Sequence, residues 1–404
     1  MDTGVPGSLV GVDRARDIDD DGDTMTHPLR SPRLAAVLLL VAAGCGLALA
    51  NSPASSVAFA VQHFSFGPAG TPFALDIGAW IADGLLTLFF FTVAVELQFE
   101  LTAGQLRSAR NALLPAIAAA GGVLVPIVVY LAVAAPSGLG RGWPVPTATD
   151  IAFALGVLAV FGRGLPARVR VFLLALAILD DIIGIVFIAV LFARDVNVGM
   201  LLLALVLVVA FGVLSRALGG RGARAIVAAM IVLAIGAWAA MLASGVHATI
   251  AGVLLGLAAS QRPGMRVAHV LEPWVNGVVL PLFALSAALV TIPRTGSLSP
   301  VFWGIAIALP VGKLIGITGT ALLAQRVLRV APSDRIRFAD LLAAAALGGI
   351  GFTVSLLLAG LAFADAPELR DQAVLGVLCG SLTALVVSAF VVSWRARAHR
   401  RQSA

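Results

Sequence analysis

Four charged residues, Asp150, Asp180, Asp181 and Lys313, lie inside long apolar segments of this 404-residue chain. A charge near the centre of a membrane-spanning helix costs about 2.5–3.5 kcal/mol on the insertion scale. Charged and unpaired, the four would together cost roughly 10–14 kcal/mol, which is comparable to the stability of a whole domain. We therefore expect them to pair, to become neutral or to line a water-containing cavity. An ion pair that only fixes helix packing needs one carboxylate, whereas three are present.

Asp180 and Asp181 are neighbours in the segment AILDDIIG, residues 177–184. Adjacent positions of an α-helix point about 100° apart, so one carboxylate can face a cavity while the other faces a neighbouring helix. Two close carboxylates repel each other when both are charged, and a bound proton relieves that repulsion. Their hard oxygen atoms also suit small hard cations. A pair that holds either a proton or a cation is the minimum that exchange requires.

Lys313 is the only lysine in the chain, and the other 26 of the 27 basic residues are arginines. Arginine does not lose its proton in a protein, whereas a buried lysine can. The exception at this position indicates a cation that must be able to release its proton.

The composition indicates which elements position these residues. Hydrophobic residues make up 60% of the chain and charged residues 12%, and the mean hydropathy is +1.02. Soluble domains contain about 45–50% apolar and about 25% charged residues, so a soluble domain, a disordered chain and a nucleic-acid-binding protein are excluded. Cys45 and Cys379 lie in apolar runs, which excludes a disulfide framework and a cysteine-rich metal site.

Because a span needs about 20 apolar residues, we predict an all-α polytopic membrane protein with about twelve transmembrane helices. The predicted spans are 34–50, 77–101, 112–134, 147–162, 171–193, 198–215, 224–241, 245–260, 271–292, 301–325, 340–363 and 372–394.

The arginines indicate how these spans are oriented. In the twelve-span topology, 22 of the 26 arginines lie on one side. This is the positive-inside bias, so both termini are expected in the cytoplasm. The spans 224–241 and 245–260 are interrupted only at Ser244 and Gly245, and fusing them would reverse every later loop and destroy the asymmetry. The net charge of +6 then reflects topology and requires no acidic partner.

The polar segments complete the predicted domain organisation. Residues 1–32 are rich in aspartate and are expected to form a disordered acidic cytoplasmic tail, without the cleavage pattern of a signal peptide. The transmembrane domain comprises 33–397, and a basic cytoplasmic tail comprises 398–404. The loop 51–76 contains turn residues flanked by aromatic residues, which permits either a short hairpin or an irregular loop.

Two predicted spans carry residues that interrupt a helix. The fourth is preceded by Pro144 and Pro146, which remove backbone donors. The eleventh contains Gly348, Gly349 and Gly351 in mid-span, where glycine weakens a helix. In the predicted topology these spans run in opposite directions, which is typical of inverted-repeat transporters with an ion site at the midplane. Ordinary transmembrane proline and glycine are the alternative interpretation.

The chain resembles the NhaA-type bacterial sodium/proton antiporter family over about residues 33–397. No single matching segment is specific, but together they are highly specific. The matching segments are TATDIAFALG (147–156), ALAILDD (175–181), SGVHAT (244–249), PW (273–274), LPLFA (280–284), GK (312–313) and GIGFTVS (349–355). The resemblance implies inverted repeats with crossing discontinuous helices in spans 4 and 11. It also implies dimers that can use an outer hairpin between spans 1 and 2, which here is the segment 51–76.

The resemblance implies roles for individual residues. Asp181 is expected to be the main ion-binding carboxylate, with Asp180 beside it, so that both bind the transported Na⁺. Lys313 is expected to pair with Asp180, and whether the lysine or a carboxylate carries each proton stays open. Asp150 and Thr149 are expected to neutralise helix ends at the break of the fourth span.

The second span departs from the family pattern. The family has Gly-Leu-Glu-x-Lys-Arg-Glu, whereas this chain has AVELQFE at 94–100, so both basic residues are absent. Glu96 and Glu100 resemble the acids of the family's pH response, although a solvated helix end is an equal alternative. His247 lies in a matching segment and Glu272 in an altered one, so both are further candidates for a pH response. A purely structural role for His247 is equally compatible with the sequence.

We therefore expect a secondary transporter that exchanges Na⁺ or Li⁺ for H⁺ across the bacterial inner membrane by alternating access. Cation and protons would compete for Asp180 and Asp181, with no cofactor, enzymatic activity or nucleic-acid partner, in a homodimer within the lipid bilayer. The alternative is a sodium-coupled symporter of an organic solute on a related fold, which would need more Asn, Gln and Tyr than the interior offers. A membrane enzyme is disfavoured, because the Asp180–Asp181 pair fits neither Gly-x-Gly-Asp of intramembrane aspartyl proteases nor Asp-Asp-x-x-Asp of prenyl transferases.

Overall fold

The computed structural model describes residues 31–68, 71–104, 107, 109–193, 195–218, 223–293, 298–332 and 335–403. The predicted acidic tail lies outside these residues, except for Ser31 and Pro32. Within the described ranges the chain is almost entirely helical, as predicted for an all-α membrane protein, with a single two-stranded hairpin.

The helices follow one another along the chain with short connections. Their bounds are α1 Pro32–Ala50, α2 Ser55–Gln62, α3 Ile77–Thr102, α4 Ala109–Ala134, α5 Ile151–Phe161, α6 Ala167–Leu191, α7 Val198–Ser215, α8 Ala223–Ala243, α9 Thr249–Ala258, α10 Gln261–Ala287, α11 Pro300–Val327, α12 Phe338–Gly348, α13 Phe352–Ala362 and α14 Pro367–Ser403. A π-helical turn interrupts three of them, at Trp80–Leu85 in α3, Val275–Val279 in α10 and Ala308–Gly312 in α11. Strands β1, Ser65–Phe66, and β2, Leu75–Asp76, form the antiparallel hairpin between α2 and α3.

Nine of the described helices are long and apolar enough to cross a membrane, and two bent helix pairs form one further span each. The described residues thus hold up to eleven candidate spans, and the remaining predicted span, 245–260, contains only the 10-residue helix α9. The predicted span 245–260 shortens to α9 because Gly245 takes a φ of +81° and the chain turns there. The predicted span 271–292 begins earlier, at Gln261, because its first turns are polar and hydropathy did not mark them.

The fourth and eleventh spans are broken, as predicted. A 3-10 turn, Val145–Thr147, precedes α5, and the segment Gly140–Thr147 meets α5 at an angle of 42°. The halves of the eleventh span, α12 and α13, meet at 49°. The backbone N–H of Asp150 donates a hydrogen bond to the carbonyl of Ile350 at 2.6 Å. The two broken spans therefore cross at their breaks.

Close packing of α4 against α11 positions the lysine. A Cβ atom at Gly316 would overlap the carbonyl oxygen of Gly121, so the two helices can approach this closely only with glycine at these positions. Gly312 packs in the same way against the backbone of Pro126. The π-helical turn of α11 ends directly before Lys313, and such turns are frequent at functional sites.

The two ends of the helical bundle differ in character. At one end, Gln62 Nε2 of α2 donates to the carbonyl of Ser286 at 2.9 Å, and Thr291 Oγ1 donates to Asp371 of α14 at 2.8 Å. We call this the hairpin end, because β1 and β2 lie beside it. We call the opposite end the basic end, because the last turns of α14 there carry Arg395, Arg397, Arg400 and Arg401.

Candidate functional site

Asp150 joins the two broken spans at their crossing. Its Oδ1 accepts a hydrogen bond from the backbone N–H of Phe153 at 3.1 Å, in the first turn of α5. Its Oδ2 accepts from the N–H and the hydroxyl of Thr353 at 3.1 and 2.7 Å, in the first turn of α13. Helix N-termini present unpaired N–H groups and a partial positive charge. One carboxylate thus accepts hydrogen bonds from the starts of both half-helices, and the neutralising role that the resemblance implies for it stays a prediction.

Thr149 connects the break to the charged residues. Its Oγ1 lies 2.8 Å from the carbonyl of Gly348, the last residue of α12, and 2.7 Å from Asp180 Oδ2. A hydroxyl has one hydrogen, so it donates to one of these acceptors at a time. Lys313 Nζ donates to the same Oγ1 at 3.0 Å. Rotation of the hydroxyl therefore moves its hydrogen bond between the carbonyl at the end of α12 and the carboxylate of Asp180.

Asp180 and Lys313 form a fully buried ion pair. Lys313 Nζ lies 2.6 Å from Asp180 Oδ2, and both side chains are 0% exposed. Removing one partner of a buried pair leaves an uncompensated charge, which is strongly destabilising. This is the pairing that the family resemblance implies.

Two buried carboxylate oxygens at this site, Asp180 Oδ1 and Asp181 Oδ1, have no hydrogen-bond partner within the described residues. Asp181 lies within electrostatic range of Asp180, Asp150 and Glu96, with Lys313 as the opposing charge. Buried polar atoms are almost always paired in native proteins. Carboxylate oxygens without donors, where negative groups outnumber the ammonium, can take up either a proton or a small hard cation.

The predicted helix-break residues lie around this crossing. Pro144 and Pro146 belong to the 3-10 region before α5, Gly348 ends α12, and Gly349 and Gly351 form the connection to α13. The sequence analysis did not identify Thr353, which binds the Asp150 carboxylate, although the segment GIGFTVS contains it. A hydroxyl one residue after the start of a half-helix could have indicated this role.

The four candidates for a pH response fall into two groups. Glu96, on α3, is within electrostatic range of Glu100 and of Glu272 on α10. His247 is separate: its Nδ1 lies 3.4 Å from Asp83 Oδ1, and Asp83 precedes Glu96 by about 20 Å along α3. The partner aspartate was missed by the sequence analysis, although it lies within the predicted second span.

The structure also explains one departure in the second span. Gln98 Nε2 donates to the carbonyls of Leu257 and Ala259 at 2.7 and 2.8 Å. These carbonyls belong to the C-terminal end of α9, where intrahelical donors run out. A neutral amide therefore satisfies the helix end at a position where the family pattern has a lysine.

This arrangement defines a class of protein. Crossing broken helices, with a buried carboxylate pair and an ammonium group at the crossing, form the binding site of a secondary transporter for small cations in a multi-pass membrane protein. The chain belongs to the family described as Na⁺/H⁺ antiporter 1, whose model matches residues 26–392.

Relatives with assigned names agree with this family. The Na⁺/H⁺ antiporter NhaA 2 of Clavibacter michiganensis is 55% identical over 389 residues, which cover 94% of each chain. NhaA of Tropheryma whipplei is 44% identical over 369 residues, covering 89% of this chain and 93% of that one. NhaA 3 of Streptomyces coelicolor is 43% identical over 391 residues, covering 93% and 81%. All three are named as transporters and not as enzymes.

Proposed function

We propose that this protein exchanges Na⁺ or Li⁺ for H⁺, with the cation and protons competing for Asp180 and Asp181. The observation that carries the proposal is the pair of buried, unpartnered carboxylate oxygens beside the ammonium of Lys313, within the described part of the chain. The names of the relatives support Na⁺ and H⁺ as the exchanged ions. They also favour exchange over sodium-coupled symport of an organic solute.

Competition follows from the chemistry of the ligands. A carboxylate must be deprotonated to hold a metal cation, so cation binding releases a proton. Asp180, Asp181 and the Thr149 hydroxyl offer hard oxygen ligands of the kind that small hard cations prefer. A high proton concentration therefore releases the cation, and a low one favours its capture. Na⁺, Li⁺ and H⁺ are cargo in this proposal, which includes no resident cofactor.

Alternating access would use the broken helices. The half-helices are held at the crossing by side chains of Asp150 and Thr149 in place of a continuous helical backbone. Small rotations of such half-helices can change which side of the membrane reaches the site. Asp181 is the most exposed of the charged residues there, at 7% against 3% or less for Asp150, Asp180 and Lys313.

We also propose a membrane location, an orientation and a dimer contact for this transporter. The positive-inside bias of the arginines supports a bacterial inner membrane location with the basic end and both termini in the cytoplasm. The hairpin end then faces outward, and the segment 51–76 is available for contact between two copies in a homodimer. Glu96, Glu100 and Glu272 would respond to pH near the basic end, and His247 with its aspartate partner near the hairpin end.

The test is cation-driven proton movement out of liposomes that contain the purified protein and, in their interior, a pH-sensitive dye. Na⁺, Li⁺ and K⁺ are added in turn across a pH series. We expect Na⁺-driven or Li⁺-driven proton flux in the unmodified protein and none in Asp181→Asn. Equal flux in Asp181→Asn would contradict competition at this carboxylate. Absence of flux in the folded, unmodified protein at every pH would contradict exchange itself.

A further inference from the structure

Helix α14 contacts both halves of the broken eleventh span. Ser381 Oγ accepts a hydrogen bond from the backbone N–H of Phe352, the first residue of α13, at 3.1 Å. Further along α14, Arg395 Nε donates to Asp340 Oδ1, in the first turn of α12, at 3.0 Å. The two contact points are about 21 Å apart along one uninterrupted helix. α14 thus holds the starts of α12 and α13 at a fixed separation.

The contact at the start of α12 is a buried charge cluster outside the cation site. Asp340 is 3% exposed and Arg395 8%. His399 Nε2 lies 2.9 Å from Asp340 Oδ1 and 3.2 Å from a terminal guanidinium nitrogen of Arg395. We call these three residues the anchor cluster. Arg337 donates to Gln402 Oε1 at 3.1 Å and joins the same two elements a second time.

The sequence of α12 makes this anchor important for position. The helix reads FADLLAAAALG, residues 338–348, and nearly every residue after its first turn is buried. Alanine and glycine let helices approach closely. They offer few protruding side chains that would interlock with a neighbour and resist sliding along the axis. The polar contacts at the two ends of α12 therefore set its axial position.

The opposite end of α12 reaches the cation site. The carbonyl of Gly348 accepts from Thr149, whose hydroxyl also contacts Asp180 and Lys313. α12 has 11 residues and is about 16 Å long. A shift of its start is therefore transmitted along a short, buried helix to a group in contact with the ion pair.

We propose that Asp340 and Arg395 are positioning residues for cation exchange. They fix the axial position of α12, and through the carbonyl of Gly348 they fix the hydroxyl of Thr149 beside the carboxylates. This inference rests on the proposed function, because its consequence is a change in the affinity for the exchanged cation. The anchor itself does not touch the cation.

The test is a kinetic comparison in liposomes. We expect Asp340→Asn to raise the KM for Na⁺ about three- to tenfold, with the maximal exchange rate nearly unchanged. Arg395→Gln should act in the same direction, and the double variant should add little, because the two residues form one contact. Asp340→Glu keeps the charge and should restore part of the affinity.

The matched control is Asp365→Asn, which removes a carboxylate from an exposed pair with Arg141 at 2.9 Å. It should leave the KM unchanged. Should Asp340→Asn not fold, Arg395→Lys keeps the positive charge and tests the same contact. A lower melting temperature with an unchanged KM in the anchor variants would show a purely structural role and overturn the proposal.

A second readout does not depend on transport. Na⁺ stabilises a protein that binds it, so the Na⁺ concentration that gives half of the rise in melting temperature reports affinity in detergent. This concentration should rise in Asp340→Asn by the same factor as the KM. Unmodified protein without Na⁺-coupled flux and without Na⁺ stabilisation would contradict the proposed function, and the positioning role with it. Normal flux with unchanged affinity in the variants would overturn the positioning role alone.

Discussion

Two buried carboxylate–base pairs that differ in kind lie near the two ends of α12. Near its C-terminal end, Asp180 and Lys313 lie 2.6 Å apart with both side chains 0% exposed. At its start, Asp340 and Arg395 lie 3.0 Å apart with side chains 5% and 10% exposed. A buried carboxylate oxygen without a partner occurs in the first pair, whereas no side-chain atom of the described anchor cluster is both buried and unpartnered.

Because of this difference, the carboxylate of the first pair can bind a cation or a proton, whereas the carboxylate of the second pair stays bound to its arginine. A lysine can release its proton, and a carboxylate with a spare oxygen can accept a cation or a proton. An arginine stays charged and fixes its carboxylate by directional hydrogen bonds. In our proposal, the same type of ion pair therefore serves cargo binding at one end of α12 and fixed geometry at the other.

The largest expected effect is at the cation site itself. Asp181→Asn removes the negative charge but keeps the shape, so we expect cation-driven proton flux to fall to the level of protein-free liposomes. The flux assay with the pH-sensitive dye measures this directly, and Asp365→Asn is the matched control. If Asp181→Asn kept a substantial flux while Asp340→Asn lost it, the roles assigned to the two ends of α12 would be reversed.

The next effect concerns stability. Lys313→Ala leaves Asp180 buried beside one hydroxyl, so we expect a loss of about 3–5 kcal/mol. Arg395→Ala leaves Asp340 near the end of the bundle with His399 still in contact, and a smaller loss of about 1–3 kcal/mol is expected. Melting temperatures in detergent, measured at one fixed pH, show which of the two variants loses more stability. An equal loss, or a larger loss for Arg395→Ala, would contradict the distinction.

The pH dependence sharpens the comparison further. In the proposed exchange, protons and Na⁺ compete for the same carboxylates, so the KM for Na⁺ should rise as pH falls, by up to about tenfold per pH unit for one exchanged proton. Asp340→Asn should shift this curve to higher Na⁺ without changing its slope, because the anchor does not bind the cargo. Initial rates over a grid of pH and Na⁺ concentrations measure both. A KM that is independent of pH would be incompatible with competition.

The smallest expected effect is at the hairpin end. His247 and Asp83 lie 3.4 Å apart with side chains 24% and 21% exposed, so solvent screens their interaction. We expect His247→Gln to change the exchange rate less than about fivefold, since a partly exposed pair contributes at most about 1 kcal/mol. The optimum pH should move by less than about one unit. A complete loss of flux would place this pair in the transport machinery.

Much of the fold was predictable because hydropathy and charge act over whole segments. The breaks in spans four and eleven were marked by Pro144, Pro146 and the glycines of the eleventh span, and the structure has both. The start of α10 was not predicted because it is polar, and α2 was not predicted because its eight residues are too few for a membrane span.

The candidate site was predictable where charges lie in mid-span, and less so where partners come from distant segments. Asp180 and Lys313 stood out by type and position, and they are paired in the structure. Asp340 did not stand out, because it lies at the predicted edge of a span, where a charge costs little. Its burial depends on the length of α14, which continues to Ser403 and brings Arg395 and His399 over it.

The most direct test of competition at Asp180 and Asp181 is proton release on Na⁺ binding. Purified protein in weakly buffered detergent solution is mixed with NaCl, and a pH-sensitive dye reports protons released per protein. We expect release from the unmodified protein and from Asp365→Asn, and none from Asp181→Asn. Na⁺ binding by the unmodified protein without proton release, or equal release from Asp181→Asn, would contradict a shared site for cation and proton.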